Sequence, residues 1–327
     1  MLSREIEFIQ KKISQVALDL RGFTVLTEVG SGLYNYMPII PLLAGANKVM
    51  AWTRDSNYGK ASFLIDKSLK LLPDTYHKDK LEFHEGSINH DHLKTADLIT
   101  NSGFLRPLNR DKLKVVKETA VIPLMFEKWE FRSDDLDLDY CKKKGIKVAG
   151  TNESHEKLNV FKQVGHLGAK LAFNAGYEIY QNNIAVWSDD SFGKVISDMF
   201  QVLGASKITL TTDFRELLKC ASELDFIFIA DYKETRCYTD TSFFDWKEIL
   251  CRNRSLGFVH LYGDIKYKDF SDAGFNIYPQ YDGKAKSMSK TLSYLGINSF
   301  FSLMVGGFKV GSCLLNGNFE DDLVQIM

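Results

Sequence analysis

Apolar, strand-like runs alternate with stretches of helical periodicity from residue 23 to about residue 280. In the first half, Phe23 to Val29 reads FTVLTEV and Lys48 to Thr53 reads KVMAWT, and a glycine or a charged residue follows each run. Such alternation is typical of βαβ units, which build a mostly parallel sheet. The pattern predicts strands at 23–29, 48–53, 81–85, 96–100, 119–124 and 146–149, and helices at about 36–44 and 58–72.

The second half repeats the cycle after one long helical stretch. Val160, Val164, Leu167, Leu171 and Ala175 lie at steps of three and four, which predicts a single helix with one apolar face over about residues 156–180. Beyond it the pattern predicts strands at 184–187, 207–210, 226–230, 257–261 and 276–278, and helices at 192–203, 214–221, 242–250 and 287–303.

Together these elements predict an α/β protein with two open, mostly parallel-sheet domains of Rossmann or flavodoxin type. The long helix at 156–180 is expected to join them. We assign 1–156 to the first of these domains, 157–305 to the second, and 306–327 to a segment that returns to the first domain. A chain of 327 residues suits two such domains, because a single hydrophobic core rarely grows to that size.

Composition and charge narrow the function classes. With 41 basic and 42 acidic side chains the net charge is −1, and a nucleic-acid binder would usually carry a basic surplus. The five cysteines form no CxxC pair, which favours a reducing compartment. The chain starts with a charged amphipathic stretch and has no run near about 18 apolar residues, so neither a signal peptide nor a membrane span is expected. We therefore expect a cytoplasmic protein.

The first candidate site is the turn after the first strand. Glu28 is followed by Gly30 and Gly32, and Asp55 comes just after the second strand. Glycines at a strand-to-helix turn let a ligand approach the backbone, and an acid after the next strand can bind ribose hydroxyls. The E-x-G-x-G form suits S-adenosylmethionine as well as a dinucleotide. A tight turn without a ligand is the alternative.

The second candidate site is the turn after the strand at 184–187, from Ser188 to Gly193. A dinucleotide site would carry glycines at 188, 190 and 193, and only Gly193 is present. Asp189 and Asp190 would repel a phosphate there, and an aspartate that caps the following helix is the simpler interpretation. If a dinucleotide does bind in this half, Ser188 and Gly193 line it. Otherwise a cationic or hydroxylated group suits this turn better.

The third candidate site lies at other strand ends of the first half. Asn101, Ser102 and Arg106 offer hydrogen-bond donors and a guanidinium that suit the carboxylate of a substrate. Glu127 and Arg132 follow the strand at 119–124, and we take them as catalytic candidates; a solvated loop is the alternative. His155 is the third catalytic candidate, because it lies where the two domains meet. His90-Asp91-His92 has no further ligand at metal-binding spacing, so no metal site is predicted.

The run DDLDLDYCKKKGIKVAGTN at 134–152, with ADLIT before it and the later SELDFIFIAD, resembles the D-isomer-specific 2-hydroxyacid dehydrogenases. The resemblance implies that 1–156 is a flavodoxin-like substrate domain and that 157–305 is an NAD(P)-binding type Rossmann domain, here degenerate, with a cleft between them. The chain departs from that family at two catalytic positions. Tyr262-Gly263-Asp264 stands where the family's arginine is expected, and Gln280 and Tyr281 follow Pro279 where its histidine is expected.

The leading hypothesis is a divergent dehydrogenase-like protein that binds a small carboxylated metabolite in the interdomain cleft and acts as an NAD(P)-dependent oxidoreductase. NAD or NADP is its expected cofactor. An S-adenosylmethionine-dependent methyltransferase that uses the turn from Glu28 to Gly32 is one alternative. A binding protein that has lost the chemistry is another. By analogy with the resembled family, a homodimer is expected.

Overall fold

A computed structural model describes residues 3–72 and 78–327. The chain divides into two compact units, of which the first comprises Met1–Val160 together with Ile297–Met327 and the second comprises Phe161–Gly296. Both units are α/β, and each contains one mostly parallel sheet, as the pattern of apolar runs predicted.

The first unit begins with alternating helices and strands. Its strands up to residue 160 are β1 (Thr24–Glu28), β2 (Lys48–Thr53), β3 (Leu81–Glu85), β4 (Leu98–Ile99), β5 (Val121–Pro123) and β6 (Lys147–Thr151). Its helices are α1 (Arg4–Val16), α2 (Ile39–Leu43), α3 (Ala61–Leu71), α4 (His90–Thr95), α5 (Arg110–Leu113) and α6 (Leu138–Lys144).

These six strands are parallel and lie in the order β3-β2-β1-β4-β5-β6. Val25 of β1 pairs with Val49 of β2 on one side and with Leu98 of β4 on the other. The direction of winding therefore reverses between β1 and β4. In open α/β sheets, ligands bind in the crevice that such a reversal leaves at the carboxyl ends of the strands.

The second unit contains one parallel sheet in the order β8-β7-β9-β10-β11. The strands are β7 (Asn183–Trp187), β8 (Lys207–Thr211), β9 (Phe226–Ile229), β10 (Gly257–His260) and β11 (Asn276–Tyr278). The helices are α7 (Gln163–Asn174), α8 (Ser191–Val202), α9 (Phe214–Cys220), α10 (Trp246–Arg252), α11 (Tyr267–Asp272) and α12 (Leu292–Leu295). This strand order is the flavodoxin-like one.

Three predicted helices differ from the structure. The stretch at 156–180 is helical only over α7, because Asn159 and Gly176 take positive φ angles of 49° and 88° that a helix does not accommodate. The region at 36–44 forms only the five-residue α2, after a 3₁₀ turn at Gly32–Tyr36. The segment at 287–303 is interrupted at Gly296, whose φ is 155°.

The chain returns to the first unit through α13 (Ile297–Leu315) and β12 (Val324–Ile326), which pairs antiparallel with β6. Phe300 and Phe301 pack edge-on against Tyr34 and Tyr36, with ring centroids 4.7 and 5.2 Å apart. The predicted boundary at 305 thus falls inside a helix that belongs to the first unit from residue 297 onward. Among the described residues, α13 is the one helix long and apolar enough to span a membrane, but 78% of that stretch is buried, as in a core helix.

Candidate functional site

In the glycine turn after β1, the side chain of Tyr34 occupies the space next to Gly30. Gly32 takes a φ of 60°, and a Cβ atom on Gly30 would lie 2.9 Å from Tyr34 Cβ. The chain then enters a 3₁₀ turn and not an α-helix, so the turn lacks the helix N-terminus that attracts a phosphate. Glu28 is 3% exposed and accepts a hydrogen bond from Phe104 N at 3.0 Å. Burial raises the pKa of its carboxyl.

Asp55 contacts the start of helix α3. Its carboxylate accepts a hydrogen bond from Ala61 N at 2.9 Å, at the start of α3, and pairs with Lys60. The hydrogen bond from Lys60 is the main cause that lowers the pKa of this exposed carboxyl. The predicted role of Gly30, Gly32 and Asp55 in cofactor binding stays a prediction, while the contacts seen for Asp55 are with Lys60 and with the first amide of α3.

The three predicted substrate-binding residues lie together at the carboxyl end of β4. Asn101 is fully buried, and its backbone carbonyl and Oδ1 accept hydrogen bonds from Arg106 at 2.6 and 3.2 Å. Its Nδ2 has no hydrogen-bond partner among the described residues. Ser102 Oγ lies 2.9 Å from Thr100 Oγ1. This group stands next to β1, at the reversal of the sheet.

Arg106 and Arg132, which we call the arginine pair, share one carboxylate. Asp135 Oδ2 lies 2.8 Å from Arg132 Nη2 and 3.5 Å from Arg106 Nη1. Both guanidiniums lie over the ring of Phe126, with Arg106 at 5.2 Å and Arg132 at 5.8 Å from its centroid. Burial lowers the pKa of Arg106, yet an arginine stays charged in proteins. Arg106, Arg132 and Asp135 by themselves leave one positive charge that suits an anion, and the carboxyls of Glu28 and Glu130, whose pKa burial raises, also interact with these arginines.

Glu127, Glu130 and Glu153 form a glutamate cluster at the ends of β5 and β6. Glu127 accepts hydrogen bonds from Glu153 N at 2.8 Å and from Gln325 Nε2 of β12 at 2.7 Å. Burial is the larger cause and the charge of Glu127 the smaller cause that together raise the pKa of Glu130 to about 7. Burial also raises the pKa of Glu153 well above its ordinary value, with further contributions from Glu130 and Glu127. Glu130 and Glu153 therefore keep their protons to higher pH than a glutamate in water does.

His155 is half-buried and lies two residues beyond Glu153. Its Nδ1 accepts a hydrogen bond from Lys157 N at 3.1 Å, so this nitrogen stabilises a local turn. An acid–base role for His155 stays a prediction. The structure instead brings Glu127 close to Glu130, which offers a proton-exchanging group at this edge.

In the second unit, Asp190 occupies the N-terminus of α8. Its Oδ1 accepts hydrogen bonds from Phe192 N at 2.8 Å and from Gly193 N at 3.4 Å, and also from Ser188 Oγ at 3.1 Å. Its Oδ2 accepts one from Tyr232 N at 2.8 Å. A Cβ atom on Gly193 would lie 2.3 Å from Ser188 Cβ, so Gly193 allows the close packing of α8 on β7. These are the contacts of the predicted helix cap.

A cavity of about 270 Å³ lies beside this turn. Its lining comprises Trp187, Asp189, Thr212, Asp231, Lys233, Glu234, Arg236 and Phe243. Asp189, Asp190 and Asp231 have carboxylate oxygens within 4.8 Å of one another. Because both oxygens of Asp190 already accept N–H groups and Asp189 pairs with Lys233 at 3.2 Å, this trio offers a metal ion few free ligands.

Sequence reasoning missed Glu153, Asp135 and Gln325. The strand-end rule that pointed to Glu127 could have found Glu153, which follows β6 in the same way. Asp135 and Gln325 carry no such signal, because Gln325 reaches the site from a strand 198 residues further along the chain.

Comparison of the sequence with protein families finds no match, and comparison with curated proteins finds none either. A dipicolinate synthase structure from Bacillus halodurans is similar, with a TM-score of 0.51 and 10% identity over 92% of this chain and 99% of that chain. Dipicolinate synthase from Bacillus subtilis has a TM-score of 0.51 and 10% identity, over 93% of this chain and 98% of that chain. A third similar structure is an NADPH-dependent glyoxylate/hydroxypyruvate reductase from Sinorhizobium meliloti in complex with citrate. Its TM-score is 0.51 and its identity 8%, over 94% of this chain and 96% of that chain. These likenesses establish the fold alone, which is α/β with mostly parallel sheets.

Proposed function

We propose that this protein binds a small carboxylated metabolite at the carboxyl edge of its first sheet. The observation that carries the proposal is the arginine pair, which shares the single carboxylate of Asp135 beside the unpartnered Nδ2 of Asn101. A buried amide donor without a partner costs free energy, and a ligand oxygen would remove that cost. The site lies at the strand-order reversal where open α/β sheets bind ligands.

The shape of the guanidinium suits this ligand class. Arg132 has 40% of its side chain exposed, and its Nε and Nη2 face Asp135, which leaves Nη1 for a second acceptor. Nε and Nη2 of Arg106 donate to Asn101, so the donor that the pair offers to a ligand carboxylate is Arg132 Nη1, through a charge-assisted hydrogen bond. One of the similar proteins is named for the synthesis of dipicolinate and another is in complex with citrate, and both molecules are carboxylates of this ligand class.

The glutamate cluster gives the proposed site a group that can exchange a proton. The pKa of Glu130 is raised to about 7, and the charge of Arg132 opposes that rise. A general acid or base works best when its pKa lies near the working pH. We therefore assign acid–base exchange with the bound metabolite to Glu130.

The fold also brings NAD or NADP into consideration as the cofactor. In a dinucleotide-binding domain the pyrophosphate lies at the N-terminus of the helix that follows the first strand, and α8 has this position in the second unit. Here the N–H groups of Phe192 and Gly193 at that N-terminus already donate to the Asp190 carboxylate. The residues present do not fit that group, and we assign no hydride-transfer step. NAD(P)-dependent oxidation, S-adenosylmethionine-dependent methylation and binding without catalysis are the outcomes that one experiment separates.

Thermal unfolding of the purified protein with citrate, dipicolinate, NAD, NADP and S-adenosylmethionine tests the proposal. A ligand that prefers the native state raises the Tm. We expect a carboxylate to raise it and Arg132→Ala to weaken the binding about 10- to 100-fold, since hydrogen bonds to charged groups contribute about 1.5–3 kcal/mol. Glu130→Gln should leave this binding in place and remove its pH dependence near pH 7.

Arg110→Ala is the matched control, because Arg110 lies over Tyr140 at 5.1 Å and takes no part in the arginine pair. It should bind the carboxylate as the wild type does. No Tm change with any carboxylate, or equal loss in both arginine variants, would contradict the proposal. A Tm rise with NAD or NADP alone would favour the oxidoreductase, and one with S-adenosylmethionine alone would favour the methyltransferase.

A further inference from the structure

We infer that Asp190 is a built-in anion that takes the place of a ligand phosphate, so that the second unit is closed to dinucleotides at α8. This inference concerns the second unit and does not depend on carboxylate binding in the first. It explains how a sheet of nucleotide-binding type persists here without its phosphate site.

The carboxylate makes the contacts that a phosphate would make. α8 has 12 residues, and such a helix presents unpaired N–H groups at its first turn. Phe192 N and Gly193 N both point to Asp190 Oδ1, and Ser188 Oγ donates to the same oxygen. The helix N-terminus favours negative charge, and Asp190 supplies it from within the chain.

The second oxygen ties this turn to a neighbouring loop. Asp190 Oδ2 accepts a hydrogen bond from Tyr232 N, in the segment that follows β9. A phosphate arriving from solvent would have to displace both oxygens of Asp190 and break this link. Asp190 therefore closes the site by occupying it as well as by its charge.

The surrounding charge opposes a phosphate further. Asp189 and Asp231 have oxygens within 4.8 Å of Asp190, and Lys233, the cation paired with Asp189, is largely exposed. Burial raises the pKa of Asp231, and the charges of Asp190 and Asp189 contribute. Like charges at this separation repel a polyanion. The two cations that line the neighbouring cavity, Lys233 and Arg236, are already paired with Asp189 and Glu234.

Removal of this one carboxylate should open the site. Asp190→Gly frees the amides of Phe192 and Gly193 and restores a glycine at one of the positions that dinucleotide turns use. We expect Asp190→Gly to bind inorganic pyrophosphate, followed by titration calorimetry, at least about ten-fold more tightly than the wild type. Asp189→Gly is the matched control. It removes one neighbouring charge and leaves the helix cap in place, so it should gain much less.

Asp190→Ser keeps a capping hydroxyl and guards against loss of the fold in the glycine variant. Circular dichroism establishes that each variant is folded before titration. The inference is overturned if the wild type binds pyrophosphate as tightly as Asp190→Gly, or if folded Asp190→Gly and Asp190→Ser gain nothing. Citrate binding at the first unit should be unchanged in all three variants, which separates this inference from the proposed function.

Discussion

At the scale of single residues, the glutamate cluster is the most unusual part of the first unit. Glu127 and Glu153 are 6% and 5% exposed, and Glu130 lies beside them. Isolated carboxylates avoid such burial because desolvation disfavours their charged form. Here the backbone N–H of Glu153 and the amide of Gln325 stabilise the charge on Glu127, while Glu153 and Glu130 keep their protons to higher pH.

The pH dependence of stability follows from these shifts. Glu130 and Glu153 have pKa values above the 4.5 that they take when unfolded, so the folded state binds more protons than the unfolded state. Their contribution to stability is complete below pH 4.5; that of Glu130 is lost as the pH rises through about 7, and that of Glu153 as the pH rises through its own raised pKa. We therefore expect the free energy of unfolding to fall between pH 5 and pH 8.

Glu153→Gln should reduce that fall. The amide cannot ionise, so the cost of a buried charge disappears at high pH, and the difference between pH 5 and pH 8 should shrink by at least about 1.4 kcal/mol, the equivalent of one pKa unit. Urea titrations at both pH values measure it. Glu156→Gln is the control, since Glu156 is exposed and should change nothing. An equal pH dependence in both variants would show that Glu153 is ionised in the fold.

At the scale of elements, a close contact between two segments holds the cluster together. The turn that carries Glu127 crosses β6 at Gly150, where a Cβ atom would lie 2.5 Å from Lys128 N and 2.8 Å from Lys128 Cα. Since both of these atoms belong to the backbone, no side-chain rotation relieves the clash. Gly150 thereby lets the Glu127 carboxylate reach Glu153 N.

Gly150→Ala should push this turn away from β6. We expect a loss of about 1–3 kcal/mol of stability, which is typical when an extra methyl group is forced into a packed interior. The hydrogen bond from Glu153 N to Glu127 should weaken with it, so carboxylate binding at the neighbouring arginine pair should weaken too. Chemical denaturation and citrate titration of the variant measure the two effects. Unchanged stability would mean that the turn is free to move.

The element scale also shows what the sequence alone can predict. The strands at 48–53, 81–85 and 276–278 match their predicted bounds, because Arg54, Gly86 and Pro279 follow them and end each run. The helix at 156–180 was predicted too long, since apolar periodicity carries no information about the positive φ of Asn159. The strand-end rule brought Asn101, Ser102 and Arg106 together correctly. It could not foresee contacts such as Gln325 with Glu127, which depend on how distant segments pair.

At the scale of the whole molecule, the first unit is discontinuous in sequence. Its second segment, 297–327, supplies α13, whose Phe301, Val305 and Phe308 are fully buried, and β12, which completes the sheet edge. The second unit is one continuous segment with its own parallel sheet and apolar core. The first unit therefore needs both of its segments in order to fold, whereas the second unit needs only 161–296.

A chain that ends at residue 296 should lose the first unit and keep the second. Without α13, the faces of β5 and β6 that it covers would be exposed to water, and burial of apolar surface is the main term that stabilises a domain. We expect the isolated segment 161–296 to unfold in one cooperative thermal transition, and the chain 1–296 to show that transition alone. Calorimetry of both proteins beside the full-length chain measures this. A second transition in 1–296 that matches one of the full-length protein would show that the first unit folds without its C-terminal segment.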